Sequence, residues 1–219
     1  MATQTRRGSY HHGDLANALT AAATELARQG GPEAVVLREA ARQVGVSATA
    51  AYRHFANHGD LIHEVKDHCQ ILLAGYMDTE LASHPPTGDP ETDALNHLRA
   101  LGLGYLRFAL AEPGLFRTAF CRTDSPREKL MEQFESPAYD KLTAALDELT
   151  ELGVIDPARR PLAEAFPWAT THGLATLLVD GPLGYLPEEL RNAVIIRTME
   201  SVIDGLCQRP WSTEHGSAA

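Results

Sequence analysis

The sequence predicts an all-α protein, a small three-helix head followed by a helical bundle, and three observations lead there. The stretch LREAARQVGVSATAAYRHF, Leu37 to Phe55, spaces its apolar residues, one glycine and one serine as a helix-turn-helix requires. Beyond it, apolar residues recur with a helical period and the breaks fall at proline and glycine. No segment of that second half alternates with the two-residue period of a strand.

The first helix is set by Leu15, Ala18, Leu19, Ala22, Leu26 and Ala27, an amphipathic stripe that stops at Gly30-Gly31-Pro32. In the second, Leu37, Ala40, Ala41 and Val44 fall at i, i+3, i+4 and i+7, leaving Arg38, Glu39, Arg42 and Gln43 to water. Small residues on that stripe let another helix cross closely. Gly45 supplies the left-handed conformation that ends a helix, Val46 tucks into the turn, and Ser47 caps the third helix. From that cap Ala51 and Phe55 turn inward, whereas Ala48, Thr49, Tyr52 and Arg53 lie near the helix start or on the opposite side, as entry into a major groove demands. Ahead of the head lies TQTRRGSYHHGD, a polar arm that carries Arg6 and Arg7.

A helix from Asp60 to about Leu81 follows, with Leu61, Val65, His68, Leu72 and Tyr76 near one stripe. The SHPPTGDP loop, Ser83 to Pro90, closes it. Further helices are expected over 91–110, 113–121, 125–152, 157–179 and 187–207. The organisation is therefore residues 1–60 as the head with its arm and 61–219 as a second, helical-bundle domain.

Composition narrows the function. The 219 residues carry a net charge of −10, but residues 1–60 hold six arginines against five acids, so the acidity belongs to the second domain, which DNA need not approach. Cys69, Cys121 and Cys207 are far apart and odd in number, which suggests no disulfide framework and no paired-cysteine metal site. A reducing cytoplasm is the expected location. Arg6-Arg7 is followed by no apolar run of export-signal length, and no stretch approaches the ~20 apolar residues of a membrane helix. An enzyme is not expected. His63 and His68 flank a zinc-protease-like spacing with one residue too many, so they point about 140° apart on a helix. Gly102-Leu103-Gly104 lacks the third glycine of a dinucleotide loop. No cofactor and no metal are implied.

From Tyr10 to Val65 the chain resembles a tetracycline-repressor (TetR) family transcriptional regulator, and the Tyr52-Arg53-His54-Phe55 run followed by a new helix carries the likeness. A second segment, FPWATTHG from Phe166 to Gly173, is similar to the Trp-His-Gly core of one class of C-terminal domain in that family. The resemblance implies a homodimer on double-stranded operator DNA, commonly a repressor, released by a small-molecule effector. By position it assigns base edges to Thr49 and Arg53, thymine methyls to Ala48 and Ala50, and phosphates to Tyr52, His54 and the helix start at His58. Ser47 and Arg38 border that surface, and Arg6 and Arg7 would reach a minor groove or phosphates. Relatives often have Ser or Thr where Val36 stands and Lys where His58 stands.

In the second domain Trp168 and His172, one helical turn apart, share a face, and Phe108, Phe116, Phe120, Cys121 and Tyr139 come from segments expected to pack nearby. They line either an effector pocket or an ordinary core. Leu190, Val194, Ile195, Thr198 and Val202 form a broad apolar stripe on the last helix, again either core or a dimer surface, and the resemblance favours the dimer. The alternative reading of the whole chain is a helical protein-interaction module whose DNA binding is vestigial, since the basic charge of the head is small.

Overall fold

The computed structural model describes residues 12–122 and 136–207; the arm with Arg6 and Arg7 and the first part of the helix expected from Ser125 lie outside them. The described residues form nine α-helices and no strand. They are α1 (His12–Gly30), α2 (Leu37–Val44), α3 (Ala48–Ala51), α4 (His58–Ala82), α5 (Pro90–Ala111), α6 (Pro113–Ala119), α7 (Pro137–Glu151), α8 (Ala165–Val179) and α9 (Glu188–Cys207).

The helices start where the caps dictate. Asp89 and Ser136 accept the Thr92 and Tyr139 amide hydrogens at 3.0 and 3.2 Å, and a proline at the first helical position follows each cap. Two expected helices are shorter in the structure. The one expected from Pro157 is a single 3-10 turn, Pro157–Arg159, capped by Asp156; Pro161, which has no N–H, and a left-handed Leu162 (φ 60°) interrupt it before α8. The third helix ends at Ala51, after which Arg53 and His54 bond three residues back, to Ala50 and Ala51, and tighten the chain into turns.

The described residues divide into two compact units. One holds the chain up to Cys69 and the segment from Gly114 to Arg122; the other holds residues 70–113 and those from Ser136 on. The expected boundary at 60/61 is thereby moved to 69/70, inside α4, and α6 is transferred to the first unit. The reason is packing that spans the chain. The start of α4 buries Leu61, Ile62, Val65 and Cys69, with His68 left exposed, so the first unit extends along that helix. Gly114 brings α6 against the end of α1 so closely that a Cβ there would overlap the Ala27 and Arg28 carbonyl oxygens.

The core of the first unit is Leu19, Ala23, Val35, Ala40, Ala51, Phe55 and Leu115, and that of the second is Leu73, Leu106, Phe108, Leu146, Leu149 and Leu178.

Candidate functional site

In the first unit two caps hold the turn between α2 and α3. Gly45 is left-handed (φ 78°, ψ 27°), its N–H reaches Arg42 O at 3.2 Å, and the Val46 N–H reaches back to Ala41 O at 2.9 Å. That paired bonding closes a helix end and suits glycine alone without strain. Ser47 Oγ then accepts the Ala50 N–H at 3.2 Å and starts α3.

With both ends fixed, the side chains sort as the spacing requires. Ala51 and Phe55 are buried; Ser47, Thr49, Tyr52 and Arg53 are exposed, Ala48, Ala50 and His54 are half-buried, and Arg38 faces water on α2. The outward set is two cations, one phenol and two hydroxyls, with the methyl groups of half-buried Ala48 and Ala50 beside them, chemistry of the kind that reads base edges and grips phosphates. Arg42 is committed elsewhere, holding both Glu39 oxygens at 2.6 and 2.9 Å and keeping that carboxyl below its ordinary range.

His58, assigned to phosphate by position, donates through Nε2 to the Val35 carbonyl at 2.7 Å. One face of its ring is therefore spent on tying the start of α4 to the chain ahead of α2. Asn57 caps α4, accepting the Asp60 N–H at 3.0 Å while its amide donates to the Asp60 carboxylate at 3.0 Å. The Asn-x-x-Asp spacing is the local signal for that reciprocal cap, and it was open to sequence reasoning. A further brace carries no such signal: buried Lys66 donates to the Cys121 carbonyl at 2.8 Å, 55 residues away, and holds the chain beyond α6 against α4.

The seven side chains proposed to line one effector wall are divided between the units. Phe116, Phe120 and Cys121 belong to the first, where the two rings lie 5.4 Å apart and Cys121 borders a cavity of about 590 Å³ together with Pro32, His58 and Ile62. The transfer of α6 by Gly114 accounts for this. Phe108 is wholly buried in the second unit, edge-on to Tyr76 at 5.6 Å. Tyr139 and Trp168 do meet, their rings 6.1 Å apart and nearly perpendicular, and His172 lies in the same unit.

Tyr105, unmarked in the sequence, joins them. Its hydroxyl lies 2.8 Å from His172 Nδ1 and is hydrogen-bonded by Trp168, whose indole N–H can only donate. Burial pushes the Tyr105 phenol far up, so it stays protonated and donates to Nδ1. Burial likewise lowers His172, which is then a neutral imidazole protonated at Nε2. A chain of three polar groups thus runs from half-buried Trp168 through buried Tyr105 to half-buried His172.

On α9 the expected dimer stripe splits. Ile195 and Val202, 9% and 5% exposed, are core of their own unit, so their assignment to a dimer surface is corrected. Leu190 is exposed, and Val194 and Thr198, four and eight residues on, are half-buried on the flank between it and the inner face. The helical period places residues four apart on one face, and Ile195, Met199, Val202 and Leu206 take the inner one. No described helix is long and apolar enough to cross a membrane.

A capped helix-turn-helix that buries Ala51 and Phe55 and turns Thr49, Tyr52 and Arg53 outward, joined to an all-helical second unit, defines a DNA-binding transcription regulator. Residues 19–65 match the family of bacterial regulatory proteins called the tetR family, and residues 98–202 match the tetracyclin repressor-like C-terminal domain. The chain belongs to the TetR family, whose members are DNA-binding proteins and not enzymes. Among solved structures it is similar to a protein of unknown function from Rhodococcus sp. RHA1, with 25% identity, a TM-score of 0.66, and 92% of this chain and 100% of that one covered. A putative tetR family transcription regulator from Shewanella sp. PV-4 shares the fold at 15% identity and a TM-score of 0.63, over 89% and 99% of the two chains. So does a TetR variant from Acinetobacter baumannii AYE in complex with minocycline, at 18% identity and 0.59, over 92% and 100%. A search of curated proteins finds no match.

Proposed function

We propose that the protein is a ligand-responsive repressor that binds a pseudo-palindromic operator as a homodimer and leaves it when a small-molecule inducer occupies the second unit. The observation that carries the reading is the outward set on α3 and the following turn, Thr49, Tyr52 and Arg53, held by the Gly45 and Ser47 caps. Thr49 and Arg53 contact base edges, Ala48 and Ala50 meet thymine methyls, and Tyr52 and His54 bind phosphates, with Arg6, Arg7 and Arg38 adding charge. Two such surfaces related by a two-fold axis fit half-sites about one helical turn, ~34–36 Å, apart. In the second unit the Trp168–Tyr105–His172 chain, with Tyr139 beside it, offers an effector both an apolar wall and polar partners. Because the coupling is reciprocal, inducer and operator weaken each other by the same factor.

The test is titration of the purified protein against DNA from just upstream of its own reading frame, at two salt concentrations, with Arg53→Ala and Tyr52→Ala alongside. Wild type should bind specifically and lose affinity with salt. Removing the Arg53 base contact should cost roughly 1–3 kcal/mol. Equally weak binding of all three proteins to any DNA would overturn the reading and favour a helical interaction module.

A further inference from the structure

The cavity of about 590 Å³ in the first unit is used neither by the reading surface on α3 nor by the polar chain of the second unit. Three separate pieces of chain enclose it: the 3-10 turn after α1 (Pro32–Ala34), the first turn of α4, and the chain just beyond α6. Hydrogen bonds fix all three. His58 Nε2 donates to the Val35 carbonyl at 2.7 Å, Asn57 caps α4 at the Asp60 N–H, and Lys66 holds the Cys121 carbonyl at 2.8 Å. The space is therefore formed before anything enters it, with a volume inside the ~300–1,000 Å³ range of small-molecule sites.

Its lining is apolar within and charged at the mouth. Ile62, 2% exposed, forms the floor, with half-buried Pro32 and Cys121 beside it. Glu33 and Arg122, both exposed, carry opposite charges on the same lining, yet neither forms an ion pair among the described residues. The place of Glu33 is set by its neighbour. Gly31 is left-handed (φ 74°), and a Cβ there would stand 3.3 Å from Glu33 Oε2, so glycine both takes the turn and leaves room for the carboxylate. His58 and Gly59 bring to the lining the partial positive charge of a helix start.

We propose that this cavity binds a free α-amino acid with a branched aliphatic side chain. Arg122 and the first turn of α4 take its carboxylate, Glu33 takes its ammonium, and its side chain lies against Ile62 and Pro32. The two unpaired charges decide the class. A simple carboxylate is repelled by Glu33 and a simple amine by Arg122, whereas a zwitterion satisfies both. The guanidinium fork suits a carboxylate in particular. The aliphatic floor selects the side chain, since burying it removes apolar surface from water on both partners. This site is separate from the effector place in the second unit, and it stands or falls independently of that reading.

Calorimetric titration of the full chain tests this with three probes of one shape: L-leucine, isocaproate, which lacks the ammonium, and isoamylamine, which lacks the carboxylate. Leucine should bind, and each truncated probe should bind roughly three- to tenfold more weakly or worse, the usual effect of losing one charged contact. Glu33→Gln and Arg122→Gln change exposed side chains, so the helical circular dichroism should hold while leucine binding weakens by a similar factor. The place of binding is read at Cys121. Leucine should slow its alkylation by iodoacetamide several-fold and leave the rate at Cys207, in the second unit, unchanged, while wholly buried Cys69 stays unlabelled. No heat with leucine, or binding that leaves Cys121 unprotected, would overturn the site. Equal binding of leucine and isocaproate, or undiminished binding to Glu33→Gln, would overturn the zwitterion.

Discussion

The two units place their functional chemistry on opposite sides of their helices. In the first, the groups that would touch DNA point outward because caps and a four-residue helix leave them no other direction: Gly45 stops α2, Ser47 starts α3, Ala51 and Phe55 take the inside, and Tyr52 and Arg53 are left outside. In the second, the polar chain turns inward to buried Tyr105, which is bonded to half-buried His172 at 2.8 Å. A reading surface costs little to build, because water satisfies it until DNA arrives. A buried polar chain must satisfy itself, and each missing partner leaves an unpaired group in a low-dielectric interior.

The hardest way to break the first half of that comparison is to remove what holds the reading surface from behind. Phe55 is 5% exposed, and Phe55→Ala should cost about 3–5 kcal/mol, the usual range for a buried phenylalanine. Hydrogen exchange should show lost protection in α1 to α3, and operator binding should fall although no DNA-facing side chain has changed. Retained protection would mean that the outward geometry does not depend on the inward aromatic.

In the second unit the corresponding break is polar. Tyr105→Phe keeps the ring but removes the donor to His172 Nδ1 and the acceptor of the Trp168 indole N–H, and should cost roughly 1–3 kcal/mol in urea unfolding. A pH dependence accompanies it. Burial depresses the His172 value in the folded state, so the unfolded chain binds the proton more readily, and stability rises with pH wherever that is so. The contribution is complete above about 6.5, the unfolded value, and is lost as pH falls from there through the depressed folded value. Wild type should therefore lose more stability between pH 7.5 and 5.5 than His172→Gln does. Equal losses would remove His172 from the account.

How far each unit was legible follows from the same contrast. The first unit was legible where its rules act within a few residues, as at Gly45, Ser47 and the Ala51–Phe55 pair. It was less so where the chain from Tyr52 to His54 keeps an almost helical period while tightening to three-residue bonds. The second unit was legible in its helices but not in its assembly. Tyr105 lies 67 residues from His172 and looks like any other residue of an apolar helix. Phe116, Phe120 and Cys121 join the first unit through the close approach at Gly114, and no local pattern announces it. On α9 one broad stripe covered two faces, and only burial separates inward Ile195 and Val202 from outward Leu190.

The smallest effect concerns a place where the first unit departs from its own logic. Val36 is the residue before α2, extended at φ −121° and ψ 118°, 47% exposed, and without a side-chain cap bond. Val36→Thr keeps the β-branched shape that this backbone suits and replaces one methyl by an oxygen able to accept an N–H of the first turn. It also recreates the Thr-x-x-Glu pattern of a capping box with Glu39. Only half of that box is available, because Glu39 is held by Arg42 through both oxygens. The gain should therefore be about 0.5–1 kcal/mol, the lower part of the capping range. For a chain of this size that is a rise in Tm of roughly 1–4 °C. Releasing Glu39 with Arg42→Ala should enlarge the benefit of Val36→Thr, so the double-mutant cycle should show favourable coupling. Strict additivity would mean that the ion pair and the cap do not compete for Glu39, and that the first turn of α2 is satisfied by water alone.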